Sequence, residues 1–197
     1  MRLAGSIPQA EIKRLKQQRD NELDALYNSS EATIPEALLA SRKHIKGVYH
    51  LGIDTALHEL SNGPYHMSNP EIAEIVMNSL KWLAENGRWF LYSACIMGNH
   101  LHLVARAPDG KEEVELGPII NSFKTFTANR ANLLLSNTGK PFWSSVYYDR
   151  DVRQGKFTKV MWYVLENPVK AKLVQNWMEW NFTYVHPEYL ELFRIEG

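Results

Sequence analysis

Two histidines separated by one leucine, His100-Leu101-His102, follow the short run Ile96-Met97-Gly98-Asn99 and lead into Leu103-Val104. In an extended strand successive side chains alternate between faces, so both imidazoles point the same way while Leu101 and Leu103 enter the opposite layer. Their Cα atoms would stand roughly 6.5 Å apart at ~3.3 Å of rise per residue, and one ring nitrogen of each then reaches a common ion at ~2.1 Å. The spacing suggests a metal-binding strand; the plain alternative is a pair of hydrogen-bonded structural histidines. A third ligand has to come from elsewhere in the chain.

The segment Met161-Trp162-Tyr163-Val164-Leu165-Glu166-Asn167-Pro168 offers one. Tyr163 and Asn167 are four apart, which on a helix puts a phenol and an amide oxygen on one face, able to overlook the histidine strand. Tyr147 and Tyr148 are rival hydroxyls, but they fall in an extended stretch where their rings suit base stacking or core packing better. His44, His50, His58, His66 and His186 have no partner at ligand spacing and read as structural.

The elements that must position these groups follow from periodicity. Residues 8–27 carry Ile12, Leu15, Leu23 and Leu26 near helical spacing, and a second short helix follows Pro35. Gly47 to Asp54 looks like a first strand, closed by the turn signal Ser61-Asn62-Gly63-Pro64. Ser68-Asn69-Pro70-Glu71 opens a core helix that Asn86-Gly87 stops. Arg88 to Ile96 and His100 to Ala107 form a β-hairpin, Pro118 to Leu135 a second core helix, Phe142 to Val152 another strand, and Lys156 to Glu166 a last helix that ends before Pro168. The order βαββαβ predicts an α+β, ferredoxin-like (RRM-like) antiparallel four-stranded sheet with an extra helix and an N-terminal helical arm. The expected division is a helical arm over 1–46, a main domain over 47–175 and an aromatic, acidic tail over 176–197. One sheet face is expected to stay open for a partner.

Composition narrows the class. At 197 residues, with 45% hydrophobic and 22% charged residues, the chain suits one globular domain with an extension, and no apolar run approaches the ~20 residues of a membrane span. The first six residues lack the apolar core of a secretory signal. The single Cys95, set among apolar neighbours, excludes an internal disulfide and points to the cytoplasm. Net charge is zero, unlike a strongly basic nucleic-acid binder. The distribution is uneven, however: residues 120–175 hold nine Lys and Arg against three acids, a local basic face on a neutral chain or simply a solvated helical surface.

At Met97-Gly98-Asn99-His100-Leu101-His102, and again at Tyr163 through Asn167-Pro168-Val169-Lys170, the chain resembles the HUH single-tyrosine transposases, specifically the REP-associated tyrosine transposase branch of the IS200-like family. Phe142-Trp143, Tyr147-Tyr148-Asp149-Arg150 and the aromatic segment Trp177 to Tyr189 extend the likeness over roughly residues 46–190. The resemblance implies a metal-dependent DNA strand transferase that cuts single-stranded, hairpin-containing DNA and keeps one end as a 5′-phosphotyrosine. Tyr163 would be the nucleophile, and His100, His102 and Asn167 would hold the ion. Magnesium or manganese is implied by the family, while ligand softness alone allows zinc equally. Lys124, Arg130, Arg150, Arg153, Lys170 and Lys172 are the candidate DNA-phosphate contacts, in a monomer or a homodimer that avoids membranes. Two alternatives stay open: a non-cleaving DNA-binding module of the same fold, and a metal-dependent phosphoesterase in which water attacks.

Overall fold

The structure, a computed structural model, describes residues 1–29, 35–59 and 63–194. These form two compact units, Gly5–Gly63 on the one hand and Met1–Ala4 with Pro64–Gly197 on the other.

The smaller unit is two packed helices, α1 (Gln9–Tyr27) and α2 (Pro35–Glu59). Ile7, Ile12, Ala56 and Leu57 are its buried core, with Ile53 against them. Gly47 to Asp54 is therefore not a strand but the middle of α2. Val48, Tyr49 and Ile53 carry local strand preference, yet the residues that matter are spaced for a helix, and packing against α1 decides the outcome. Gly52 marks the contact, since a Cβ there would lie 2.8 Å from a methyl of Leu15. Residues 61 and 62 of the expected turn lie outside the described residues.

The larger unit is mixed α and β. Asn69 caps α3 (Pro70–Glu85), its side chain accepting from the Glu71 N–H at 2.9 Å, with Pro70 at the first helical position where no N–H is needed. β1 (Phe90–Ile96) and β2 (Leu101–Arg106) then form an antiparallel hairpin, and α4 (Leu116–Leu134) follows. After the irregular 141–156 come α5 (Phe157–Leu165), α6 (Asn167–Lys170), β3 (Thr183–Val185) and α7 (Pro187–Leu190). The sheet has three strands in the order β2-β1-β3, all antiparallel.

This differs from the expected four-stranded βαββαβ sheet in three ways. The first predicted strand is helical. Phe142 to Val152 is irregular, and only Trp143 makes a strand-type bridge, to Leu3. Its partner is the four-residue segment Met1–Ala4, too short to template a full strand: Ala4 N–H donates to Phe142 O at 2.8 Å and Ser144 N–H to Arg2 O at 2.9 Å. Finally, Thr183–Val185, within the stretch read as a tail, pairs with β1.

Both sheet faces are covered. Leu91, Ala94, Ile96 and Leu101 pack with α3, α4 and Trp143, while Cys95, Met97, Val104 and Val185 pack with Met161, Val164 and Leu165 of α5 and with Trp177 and Phe193. The face expected to be open is thus occupied by the helix bearing Tyr163 and by the aromatic C-terminal segment. A bulge at Tyr92 accommodates this arrangement, since Leu91 pairs with Ala105 and Ser93 already with Val104.

Candidate metal and nucleophile site

His102 lies in β2, and His100 stands just before it in a strand-type bridge to Arg2. Leu101 is in the core beneath α3 and α4, so the two histidines take the opposite, α5-facing side, as the period of two requires. Their rings are 4.9 Å apart at 87°, with ligating nitrogens within 4.8 Å of each other. Small rotations about the side-chain bonds bring two such nitrogens to ~2.1 Å from one ion. The pair can hold a metal.

The turn before them is fixed tightly. Met97 N–H donates to His100 O at 2.8 Å, and Gly98 O accepts from Met67 N–H at 3.0 Å. A Cβ on Gly98 would meet the Ser68 hydroxyl at 2.5 Å and the Tyr65 ring at 2.7 Å, so a side chain there has no room. Asn99 is buried, and its Oδ1 stands 2.6 Å from His100 Nδ1. An amide oxygen only accepts, which places the proton of a neutral His100 on Nδ1 and the lone pair on Nε2, the nitrogen left to ligate.

Tyr163 comes to this pair from α5, which packs on β1 and β2. Its ring sits 5.6 Å from that of His102 at 86°, and the residue is 37% exposed, so one edge meets solvent. Lys170 Nζ lies 4.6 Å from the centre of the same ring. A turn of helix beyond Tyr163, Asn167 is buried, its Nδ2 donating to Tyr163 O at 2.7 Å and to Val164 O at 3.2 Å. Pro168 has no N–H for the Val164 carbonyl, and the Asn167 amide supplies that donor instead. The amide nitrogen is thereby committed to the helix end, which leaves Oδ1 as the atom able to ligate.

The basic residues divide. Lys124 is half-buried, donates to Ser144 O at 2.6 Å and lies 5.8 Å over the Tyr147 ring; burial lowers its ammonium below the usual lysine range. Its hydrogen bond ties α4 to the irregular segment. Arg130 is exposed and lies 5.9 Å over Phe126. Arg150 and Arg153 are exposed in the irregular segment, and Lys172 is exposed in a left-handed conformation at φ 58° just after α6. Of the six, Lys170 is the one that lies over the Tyr163 ring. Tyr147 is half-buried against the α3–α4 core, and Tyr148 is exposed. Cys95 is buried directly opposite His102, its thiol pushed up to about 12 by desolvation.

No known protein-family model matches this sequence. No curated protein and no solved structure matches it either.

Sequence reasoning missed two partners of the site. Asn99 was visible only as part of a motif, although an amide directly before a histidine at a tight turn is the signal for an orienting bond. The segment Met1–Ala4 had no signal beyond one apolar Leu3, because two bridging residues are too few for periodicity to register.

Proposed function

We propose that this protein is a transposase-like endonuclease and strand transferase for single-stranded DNA, of the REP-associated tyrosine transposase kind, with Tyr163 as nucleophile. The observation that carries the reading is the Tyr163 ring set edge-on to His102, 5.6 Å away, in a residue still partly exposed. His100 and His102, whose ligating nitrogens lie within 4.8 Å of each other, are assigned in this reading to Mg²⁺ or Mn²⁺, with the Asn167 amide oxygen as the third ligand and positions left for substrate oxygens. When bound, such an ion withdraws charge from the non-bridging oxygens of a phosphodiester. In this reading Met1–Ala4 takes the place of an edge strand beside β2, completing a four-stranded ferredoxin-like arrangement.

The chain's own groups then act in sequence. A phenol with a reference pKa of ~10 is mostly protonated at neutral pH and needs help to attack. The Lys170 ammonium beside the ring stabilises charge as it develops on the phenol oxygen. Tyr163 Oη forms a bond to phosphorus as the bond to the 3′ oxygen breaks; the phenol proton passes to solvent, and the departing oxygen takes one up as a 3′-hydroxyl. The 5′ phosphate stays on Tyr163. The reverse attack rejoins the strand without an added energy source. Arg130, Arg150, Arg153, Lys170 and Lys172 are assigned to the DNA backbone, together with Lys124, one of whose three N–H donors is taken by Ser144 O. The partner is hairpin-containing single-stranded DNA, taken by a monomer or homodimer in the cytoplasm.

The test is a denaturing gel of the protein with single-stranded hairpin DNA and Mn²⁺. The parent should give a covalent adduct that mass spectrometry places on Tyr163, and Tyr163→Phe should bind DNA yet give none. An adduct on Tyr147 or Tyr148, or one surviving in Tyr163→Phe, overturns the assignment. Turnover of phosphoesters with no adduct supports attack by water instead.

A further inference from the structure

Arg2 is the feature that neither the motifs nor the ligand set uses. It is bridged antiparallel to His100, and the two backbone bonds beside it define the geometry: Leu3 N–H donates to Asn99 O at 2.9 Å and Leu101 N–H to Met1 O at 2.7 Å. Bonds that flank a pair in this way make Arg2 and His100 a non-hydrogen-bonded pair, the type in which Cα atoms approach to about 4.5 Å and side chains are closest. Directly opposite residues share a face, with Cβ atoms roughly 5 Å apart. An independent observation fixes which face. Leu3 is fully buried in the α3–α4 core, and Met1 packs against the same cluster. Alternation along Met1–Ala4 then turns Arg2 to the other side, where His100, His102 and Tyr163 are. On its far edge Arg2 O accepts from Ser144 N–H at 2.9 Å, so the backbone carrying the guanidinium is held from both sides.

From this the geometry points to Arg2 as a phosphate-binding residue of the site, its guanidinium taking the non-bridging oxygens of the nucleic-acid phosphate that lies between His100 and Tyr163. The inference rests on the single-strand nuclease reading. The chemistry suits such a group: a phosphodiester carries a negative charge that a planar, permanently charged fork matches in two parallel hydrogen bonds. Lys170 sits by the Tyr163 ring, whereas Arg2 is paired with His100, so the two cations serve different ends of the site. No side-chain property of Arg2 is needed for its backbone pairing, which any strand-compatible residue sustains.

The experiment separates the inference from the reading beneath it by measuring binding and cleavage on the same proteins. In the full chain with Tyr163→Phe, equilibrium binding of a short single-stranded oligonucleotide is measured with Mn²⁺ present. Adding Arg2→Gln should weaken it at least fivefold, with Arg2→Lys between the two. A methylphosphonate version of the same oligonucleotide, which lacks the charged oxygens, should bind equally to all three. On the Tyr163 background, Arg2→Gln should slow adduct formation at saturating DNA by at least tenfold, with Arg2→Lys restoring part of the rate. Equal binding of the phosphodiester with and without Arg2, or an equal loss for the methylphosphonate, overturns the assignment whatever the gel shows. An Arg2-dependent preference for the phosphodiester with no adduct in the parent overturns the nuclease reading and leaves the phosphate site standing.

Discussion

Replacing Asn99 by alanine tests whether the histidine pair is pre-set for an ion. Asn99 is 1% exposed and its Oδ1 is 2.6 Å from His100 Nδ1. His100 is itself 2% exposed, so Asn99→Ala takes the bond from a buried imidazole that water cannot readily reach. A buried donor left unsatisfied costs about 1–3 kcal/mol, and loss of the group that orients a metal-bound histidine typically lowers metal affinity 10–100-fold. Stability should therefore fall by about 2 kcal/mol in urea unfolding, and the Mn²⁺ dissociation constant, read by calorimetry, should rise at least tenfold. The two effects should share one origin. In the double variant with His100→Ala, the stability losses should be less than additive, because the bond is already gone. An Asn99→Ala protein with parental stability and parental Mn²⁺ affinity would refute the orienting role and, with it, the assigned tautomer.

Two further outcomes follow from burial and charge. His50, packed in the helical unit, is lowered to about 4 by desolvation and then by Arg19 and Lys46. The unfolded chain, with its imidazole near 6.5, binds more protons between those values, so stability should rise with pH from about 4 to 6.5 and fall as pH drops through that window. After allowance for solvent screening the amplitude is up to about 2 kcal/mol; melting temperatures across the range should flatten in His50→Gln, and an unchanged profile would exclude His50 as the source. The Cys95 thiol, raised to about 12 and buried, should resist alkylation at pH 8 in the native protein and react fully in denaturant. Rapid native labelling would contradict the packing of the α5-facing sheet layer.

Much of the larger unit was legible because its elements are long and strongly patterned. The Asn69-Pro70 start of α3 and the hairpin break at Gly98-Asn99 announce themselves by turn and cap chemistry, and the His100/His102 face follows from period two alone. The failures have a common cause in short or competing local signals. Val48, Tyr49 and Ile53 look like a strand in isolation, and only the distant Leu15 makes Gly52 part of a helix contact. Thr183–Val185 is three residues long, below what alternation can reveal. Phe142 to Val152 has strand-prone residues but a partner only four residues long. The relation of Tyr163 to Asn167 was readable from spacing, whereas the donation of the Asn167 amide to the Tyr163 carbonyl and to the Val164 carbonyl, which Pro168 cannot serve, required the observed helix end.

The bridge between Met1–Ala4 and the residues before β2 has a consequence in time. The site's geometry depends on backbone bonds that span about 100 residues of chain, such as Leu101 N–H to Met1 O, and on others that reach farther, from Ala4 to Phe142. Contacts of such long range close late, since the entropy of the intervening loop opposes them until other structure has shortened it. The β1–β2 hairpin can form as soon as its own residues are available, but its histidine edge is finished only when the chain's start and the 142–144 segment both arrive, and Tyr163 is synthesised later still. A growing chain therefore carries the His100/His102 motif well before Tyr163 can be set beside it, and the proposed strand-cutting chemistry has to wait for that later segment.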